Sequence, residues 1–303
     1  MGGVYMPDKA KNNTRPGGYV ILLYCLSAAL LLFTIAVAIS AYLSGSALIA
    51  DPVLREGLSA YFEKPARSIT EEDLASVKAV QIDENTVSFA GADVLTGLKK
   101  NYALDITESA SIVPVDMLYH TVEYTSPVTD FSVLSVFPHL EYLSVYDSPA
   151  LRDSGQLSAF CDLYELEIWD ADFSARLSDF DGMPGLTVLT LSCADITDTA
   201  SLASHPALER LYLSDGKLSD LSALSGLEKL KVLSLTKNRI ADAGALSGLG
   251  RLQYLDLSEN LLTDVSPLKG LTSLKELYLK GNENIGDLSP LSSLSSAVID
   301  IRE

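Results

Sequence analysis

From residue 208 onward one pattern is written four times with little variation. The copies read LERLYLSDGKLSDLSAL, LKVLSLTKNRIADAGAL, LQYLDLSENLLTDVSPL and LKELYLKGNENIGDLSPL, and in them Leu211, Leu233, Leu255 and Leu277 stand 22 residues apart. Each of these leucines is followed two residues later by another. A pair of leucines at strand spacing, returning at a fixed period, cannot be buried within a single copy. Neighbouring copies must stack so that their leucines make one continuous core, and the chain is then a solenoid.

The period extends backwards with decay. Leu189/Leu191, Leu166/Ile168 and Leu143/Val145 hold the register, Val122/Tyr124, Leu104/Ile106 and Val80/Ile82 continue it with slips, and Ile299/Ile301 close it. The expectation is about eleven strands and roughly ten coils. Apolar helper positions agree: Leu268, Leu271 and Leu274 precede Leu277, and Leu224, Leu227 and Leu230 precede Leu233. Asn101 and His205 depart from the rule. The pattern L-x-x-L-x-L-x-x-N at this period resembles the leucine-rich repeat. That resemblance implies an α/β repeat, a right-handed solenoid with a curved parallel sheet on its concave face.

Asn238, Asn260 and Asn282 follow the second strand leucine by three residues, and Asn85 does so in the first coil. An asparagine there can turn inward and satisfy backbone groups where the chain leaves the strand. The middle coils lack this ladder and are expected to be the least regular. Asp242, Asp264 and Asp287 recur after it and read as turn markers rather than metal ligands.

Residues 19–43 contain no charge, and their length suffices to span a bilayer with some tilt. Lys9, Lys11 and Arg15 precede them against the single Asp8, which places the N-terminus in the cytoplasm and the remainder outside. The alternative is a signal peptide, cleaved near Ala36 or Ala38, that releases a secreted protein; its apolar core is normally shorter. The expected organisation is a cytoplasmic tail over 1–18, a transmembrane signal anchor over 19–43, a linker over 44–50, a helical N-terminal cap over 51–76 and the solenoid over 77–303. The cap expectation rests on Leu54, Leu58, Tyr61 and Phe62 at helical spacing, and on Thr70 as an N-cap before Glu71, Glu72 and Asp73.

The chain carries 22 basic and 40 acidic residues, a net charge of −18. Such a field opposes nucleic acid and anionic lipid. Cys161 and Cys193 lie in adjacent coils but at different stations, up to ~30 Å of chain apart, so no disulfide is expected and both read as core-side thiols. Cys25 falls in the apolar segment.

The helical stretch ending in ITEEDLASV, followed by 22-residue coils with turns such as those from Asn260 to Leu268 and from Asn282 to Leu291, resembles the internalin-type leucine-rich-repeat proteins of bacterial surfaces. The resemblance covers 51–303 and is strongest from residue 186. It implies a curved ectodomain that binds a protein or glycan through its concave sheet, in a bacterium with a Gram-positive envelope.

Strand residues alternate in direction, so the residues between the core leucines face outward. Tyr142, Tyr146, Glu165, Glu167, Trp169, Arg210, Tyr212, Tyr254, Asp256 and Tyr278 form this outward set, with Lys280 beside them. It holds the single tryptophan and five of the fourteen tyrosines. Aromatics exposed on a rigid face are what binding hot spots are made of, although tyrosine also suits strands for packing alone. Asp105, Glu123, Glu165, Glu167 and Asp170 make the first half acidic, whereas Arg210, Lys237, Lys280 and Arg302 enter the second. A partner with a basic, partly apolar patch fits the first half.

Catalysis finds no constellation. His120, His139 and His205 are far apart in the repeat, and no nucleophile–base pair, phosphate loop, cofactor motif or metal spacing appears. The expected protein is therefore a membrane-anchored extracytoplasmic binding module and not an enzyme. The other reading is a structural spacer that self-associates or joins an envelope complex through its ends, favoured by a final strand with no evident cap.

Overall fold

The alternation within each copy makes a short strand whose leucines face one way and whose remaining residues face the other. The computed structural model describes residues 49, 51–83, 86–92, 122–123, 131–146, 154–169, 176–192, 196–197 and 199–301. All lie in the second of the chain's two units, Leu48–Glu303. The apolar segment 19–43 is outside the described residues, and so are Cys25, Asn85, Asn101, Leu104, Ile106, His120 and Cys193. Among the described residues no helix is long and apolar enough to cross a membrane.

The strands are β1 (Ala79–Asp83), β2 (Thr86–Ala90), β3 (Val122–Glu123), β4 (Tyr142–Tyr146), β5 (Glu165–Trp169), β6 (Val188–Ser192), β7 (Arg210–Ser214), β8 (Val232–Ser234), β9 (Tyr254–Asp256), β10 (Glu276–Tyr278) and β11 (Val298–Asp300). They form one sheet in the order β11-β10-β9-β8-β7-β6-β5-β4-β1-β2-β3. From β4 to β11 every neighbouring pair is parallel and in repeat register: Leu143 faces Leu166, Leu211 faces Leu233, and Leu255 faces Leu277.

The first part of the sheet differs from the expected run of coils. β1 pairs directly with β4 in parallel, and β2 folds back antiparallel on β1 with β3 antiparallel on β2. The Val122 strand is thus not a coil between β1 and β4. The physical reason is the short connection from Asp83 to Thr86, which is long enough for a hairpin and far too short for the crossover that a parallel neighbour needs.

Inside the sheet the leucines are fully buried: Leu143, Leu166, Leu189, Leu211, Leu233, Leu255 and Leu277 all have no exposed surface. Each such burial is worth roughly 2 kcal/mol. The chain returns from one strand to the next through single 3-10 turns, among them Ser222–Gly226, Gly244–Gly248, Ser266–Gly270 and Ser289–Ser293. Each buries one leucine of the helper set: Leu224, Leu246, Leu268 and Leu291. The recurring aspartates start these turns. Asp220, Asp242, Asp264 and Asp287 accept from the backbone N–H of Ser222, Gly244, Ser266 and Ser289 at 2.7–2.8 Å. The bonds from Ser222, Ser266 and Ser289 hold the carboxyls of Asp220, Asp264 and Asp287 below the ordinary range.

The asparagines form the expected inward ladder. Asn260 Oδ1 accepts from the N–H of Ile240 in the preceding coil at 3.1 Å. Its amide donates to the carbonyls of Leu235, Leu257 and Ser258 at 2.8, 3.0 and 3.1 Å. Asn238 and Asn282 repeat the arrangement on Leu218 and Leu262. Just before them the backbone turns left-handed at Lys237, Glu259 and Gly281, and it does so at the matching Asp215 before Gly216, one residue per coil. At Gly281 a Cβ would also meet the Glu259 carboxylate at 2.7 Å, so only glycine fits there without displacing it. The ladder coils have three-residue strands, while β4 to β7 have five. The unladdered coils are therefore the longer-stranded ones. The asparagine amides capture carbonyls at the strand ends and turn the ladder chains out sooner.

Among the described residues two α-helices precede the sheet. In α1 (Pro52–Tyr61) Asp51 caps the N–H groups of Val53 and Leu54, Pro52 needs no such partner, and Leu54 and Leu58 are buried in the same core as Val80 and Phe89. Gly57 lies against Phe89, where a Cβ would approach to 2.9 Å. In α2 (Glu71–Ser76) Thr70 and Asp73 exchange a capping box. Lys64 Nζ lies 2.7 Å from Asp73 and, with the Thr70 N–H, holds that carboxyl down to about 2.

Cys161 is exposed, contrary to its expected core-side position. It occupies a turn between the buried Phe160 and Leu163, on the step that faces outward. His205 is buried as expected, with Nε2 2.9 Å from the Phe180 carbonyl and Nδ1 near Ser201 and Ser204. His139 is exposed beside Asp162. Among the described residues no group of three metal-ligating side chains forms.

Candidate functional site on the concave sheet

The strand register sorts the outward residues into rows. One row runs Ala79, Tyr142, Glu165, Val188, Arg210, Val232, Tyr254, Glu276, Val298. The next runs Gln81, Ser144, Glu167, Thr190, Tyr212, Ser234, Asp256, Tyr278, Asp300. A third begins Tyr146, Trp169, Ser192, Ser214. All ten residues singled out from the sequence lie on this face.

Their exposure is lower than expected. Tyr142, Glu165, Glu167, Tyr212 and Tyr254 are buried, and Tyr146, Trp169, Arg210, Asp256 and Tyr278 are half-buried. Neighbouring strands stand about 4.8 Å apart, so large side chains in adjacent rows cover one another. Tyr142 shows how: it faces Glu165 in register, yet its hydroxyl reaches diagonally to donate to Glu167 Oε2 at 3.0 Å.

The face divides in two. Across β4 to β6 lies a buried acidic cluster. Glu165 is 1% exposed and Glu167 5%. Glu167 Oε2 also accepts from Ser144 Oγ at 3.2 Å. Burial pushes the Glu167 carboxyl above its ordinary value, opposed by the Tyr142 and Ser144 hydroxyls. Beside the carboxylates the rings of Tyr146 and Trp169 stack in parallel, 6.2 Å between centroids and 2° between planes. Trp169 Nε1 is buried and has no hydrogen-bond partner, and the same holds for Thr190 Oγ1 on the next strand.

Across β7 to β10 lies a tyrosine band. Tyr212, Val232 and Tyr254 pack into one small cluster with Tyr278 against it, and the Tyr254 and Tyr278 rings stand 5.5 Å apart, tilted by 43°. Tyr278 donates to Glu276 at 2.8 Å, and this bond with burial pushes its hydroxyl up to about 12. Tyr254, near Asp256, is raised chiefly by burial. Tyr212 is raised by burial and by Glu165 and Glu167, while Arg210 works against both. Lys280 is exposed, and Lys237 pairs with Asp215 at 3.3 Å. Asp105, Asp170 and Arg302 lie outside the described residues, and of Glu123 only the backbone is described.

Two participants escaped the sequence reading: Ser144 and Thr190. Both are small and polar at outward stations of L-x-L alternation, so strand parity marked their direction. Their burial, at 0% and 1% exposed, was not legible without the neighbouring rings.

The family models for leucine-rich repeats match residues 250–293 (two copies) and 226–247. Among curated proteins none matches as a relative. Among solved structures the chain resembles internalin C2 of Listeria monocytogenes at 22% identity, with 84% of this chain and 94% of that one covered and a TM-score of 0.57. Internalin inlF of the same organism is 22% identical over 83% and 95% of the two chains, with a TM-score of 0.48. The ectodomain of the Arabidopsis receptor kinase HAESA, solved with an extended IDA peptide hormone, is 24% identical over 57% and 32%, with a TM-score of 0.49. Residues 226–247 and 250–293 thus match leucine-rich repeats, and the chain's fold resembles that of internalin C2.

Proposed function

We propose that this chain is a non-enzymatic binding module that recognises a protein, or a surface glycan, through its concave sheet, with residues 19–43 anchoring it in the membrane and the repeats outside. The observation that carries the binding reading is the parallel Tyr146–Trp169 pair, half-buried beside two buried carboxylates. Stacked rings that a neutral core would hide are here left partly open next to charge. Such a combination suits a partner patch that is apolar and basic. The spacer reading draws support from the sheet edge, where Val298 is 66% and Ile301 44% exposed.

Capture of a partner by the wild-type chain should be lost in Tyr146→Ala/Trp169→Ala, about thirtyfold or more in affinity for a central anchor, with an unchanged melt. Normal capture by the folded double variant would move the spacer reading ahead. For the anchor, protease added to intact cells should remove the repeats, and extraction should need detergent. Recovery of a soluble form beginning near Ala47 would show a cleaved signal peptide instead.

A further inference from the structure

We propose that Trp169, Thr190 and the row of hydroxyls that continues from them across β6 and β7 form a subsite for a neutral glycan chain of pyranose rings. This rests on the concave face being the binding face, and of the two partner classes named for that face it selects the glycan.

The third row changes character at β6. Tyr146 and Trp169 stack on β4 and β5, and in register beside Trp169 stand Ser192 and then Ser214. Two residues past Ser234 and Asp256, the same station holds Thr236 and Ser258 before Lys280 introduces a charge. These hydroxyl residues are half-buried, one per coil at about 4.8 Å, and each hydroxyl can both donate and accept. An independent observation marks where the row meets the rings. Thr190, the preceding outward residue on β6, is 1% exposed and its Oγ1 has no hydrogen-bond partner. Trp169 Nε1 on the neighbouring strand is likewise buried without an acceptor. Buried polar atoms left unsatisfied are costly in the free protein, and a ligand that supplies their partners relieves that cost.

A sugar chain meets these demands together. The C–H face of one ring lies on the half-buried indole, one hydroxyl accepts from Nε1 and another pairs with Thr190 in either sense, while the following rings meet the row. Both buried atoms are covered in the free chain, so the indole turns as the sugar enters. A protein segment fits less well. Strand addition needs a free sheet edge, and β6 and β7 are paired on both sides. Serine and threonine are also under-represented among the residues that anchor protein interfaces. The sugars are not acidic, because Glu167 lies in the adjoining row and the chain carries a net charge of −18.

Trp169 is the single tryptophan of the chain, so its emission reports on the subsite directly. The full-length chain, in a detergent without a sugar headgroup, would be titrated at constant ionic strength with two neutral sugars, cellotetraose and tetraacetylchitotetraose, and with tetragalacturonate and tetralysine. The expected result is a saturable change in emission with at least one neutral sugar and none with either charged probe. Ser214→Ala/Thr236→Ala should melt as wild type does and bind that sugar several-fold more weakly. Thr190→Val, which deletes an unpartnered hydroxyl and keeps the shape, should fold at least as well as wild type and also bind more weakly. No response to either neutral sugar, a response to a charged probe, or wild-type affinity in both variants would overturn the subsite; a tetralysine response would point to a basic protein segment instead. Loss of partner capture in Tyr146→Ala/Trp169→Ala without any sugar response overturns only the subsite, whereas unchanged capture overturns the concave-face reading beneath it.

Discussion

Replacing Asn260 by alanine isolates the backbone ladder from the leucine core. Its cost follows from which partners are left. The Ile240 N–H loses its acceptor and remains in a buried coil interior, worth about 1–3 kcal/mol. Leu235 and Leu257 each lose one of two amide donors and keep the other, from Asn238 and Asn282, at about 0.5–1 kcal/mol apiece. Ser258 keeps the Lys237 N–H at 3.0 Å. The total is roughly 3 kcal/mol, or a melting temperature lowered by roughly 6–12 °C for a unit of this size. Asn260→Asp keeps the acceptor for Ile240 but turns a carboxylate oxygen toward carbonyls. It should be worse than alanine at neutral pH and recover as acid restores a donor. Thermal melts would measure both against Leu261→Ala, a 52% exposed neighbour expected to stay within about 0.5 kcal/mol. Hydrogen exchange at Ile240 should accelerate in Asn260→Ala more than at amides of the first strands. Coincident melts for Asn260→Ala and Leu261→Ala would refute the ladder as a structural element.

Leu255→Asp should be far more damaging than Asp256→Ala, because Leu255 has no exposed surface and its neighbour lies on the outward face; beyond the roughly 2 kcal/mol of lost burial it places a charge in the stacked core, and equal melts would shift the inside–outside assignment by one residue. Asp73→Ala removes the capping box of α2 and the Lys64 pair, and should cost about 1 kcal/mol in chemical denaturation; no loss would mean that α2 adds nothing to the fold. For pH, the folded Glu167 carboxyl lies above its ordinary value of 4.5, so the folded state holds that proton more tightly than the unfolded chain. Its contribution is fully present below that value and is lost as pH rises through the folded one. The stability difference between wild type and Glu167→Gln should fall in that direction, and a difference independent of pH would contradict the burial of Glu167.

Much of this was legible because a repeat states its own rule several times. Leu211, Leu233, Leu255 and Leu277 gave the register, the asparagines gave the ladder, and strand parity put ten named residues on one face. The structure parts from the pattern where the repeat weakens. The Val80 and Val122 strands carry the alternation of a coil, but alternation does not say whether the next strand runs parallel, and the short Asp83–Thr86 connection decides for a hairpin. Exposure on the concave face was also misjudged. Parity gives a direction, whereas burial depends on which residues stand in the same row of adjacent strands, as with Tyr142 reaching Glu167. The pairing of Thr190 with Glu167 belongs to the same class: the alignment of two coils shows it, while the missing hydrogen bond needs coordinates.

The central claim, that the concave face is where a partner sits, is tested most directly by site-specific photo-cross-linking from three faces of one chain. A benzophenone amino acid would replace Ser192, beside Trp169 in the third row of the concave sheet, Ser225 on an exposed 3-10 turn, and Val298 at the sheet edge, each in the full-length protein in its own cells. The account predicts that one partner cross-links from position 192 and from neither of the others. Cross-linking of that partner from position 225, or of a second copy of the chain from position 298, with none from 192, would contradict it.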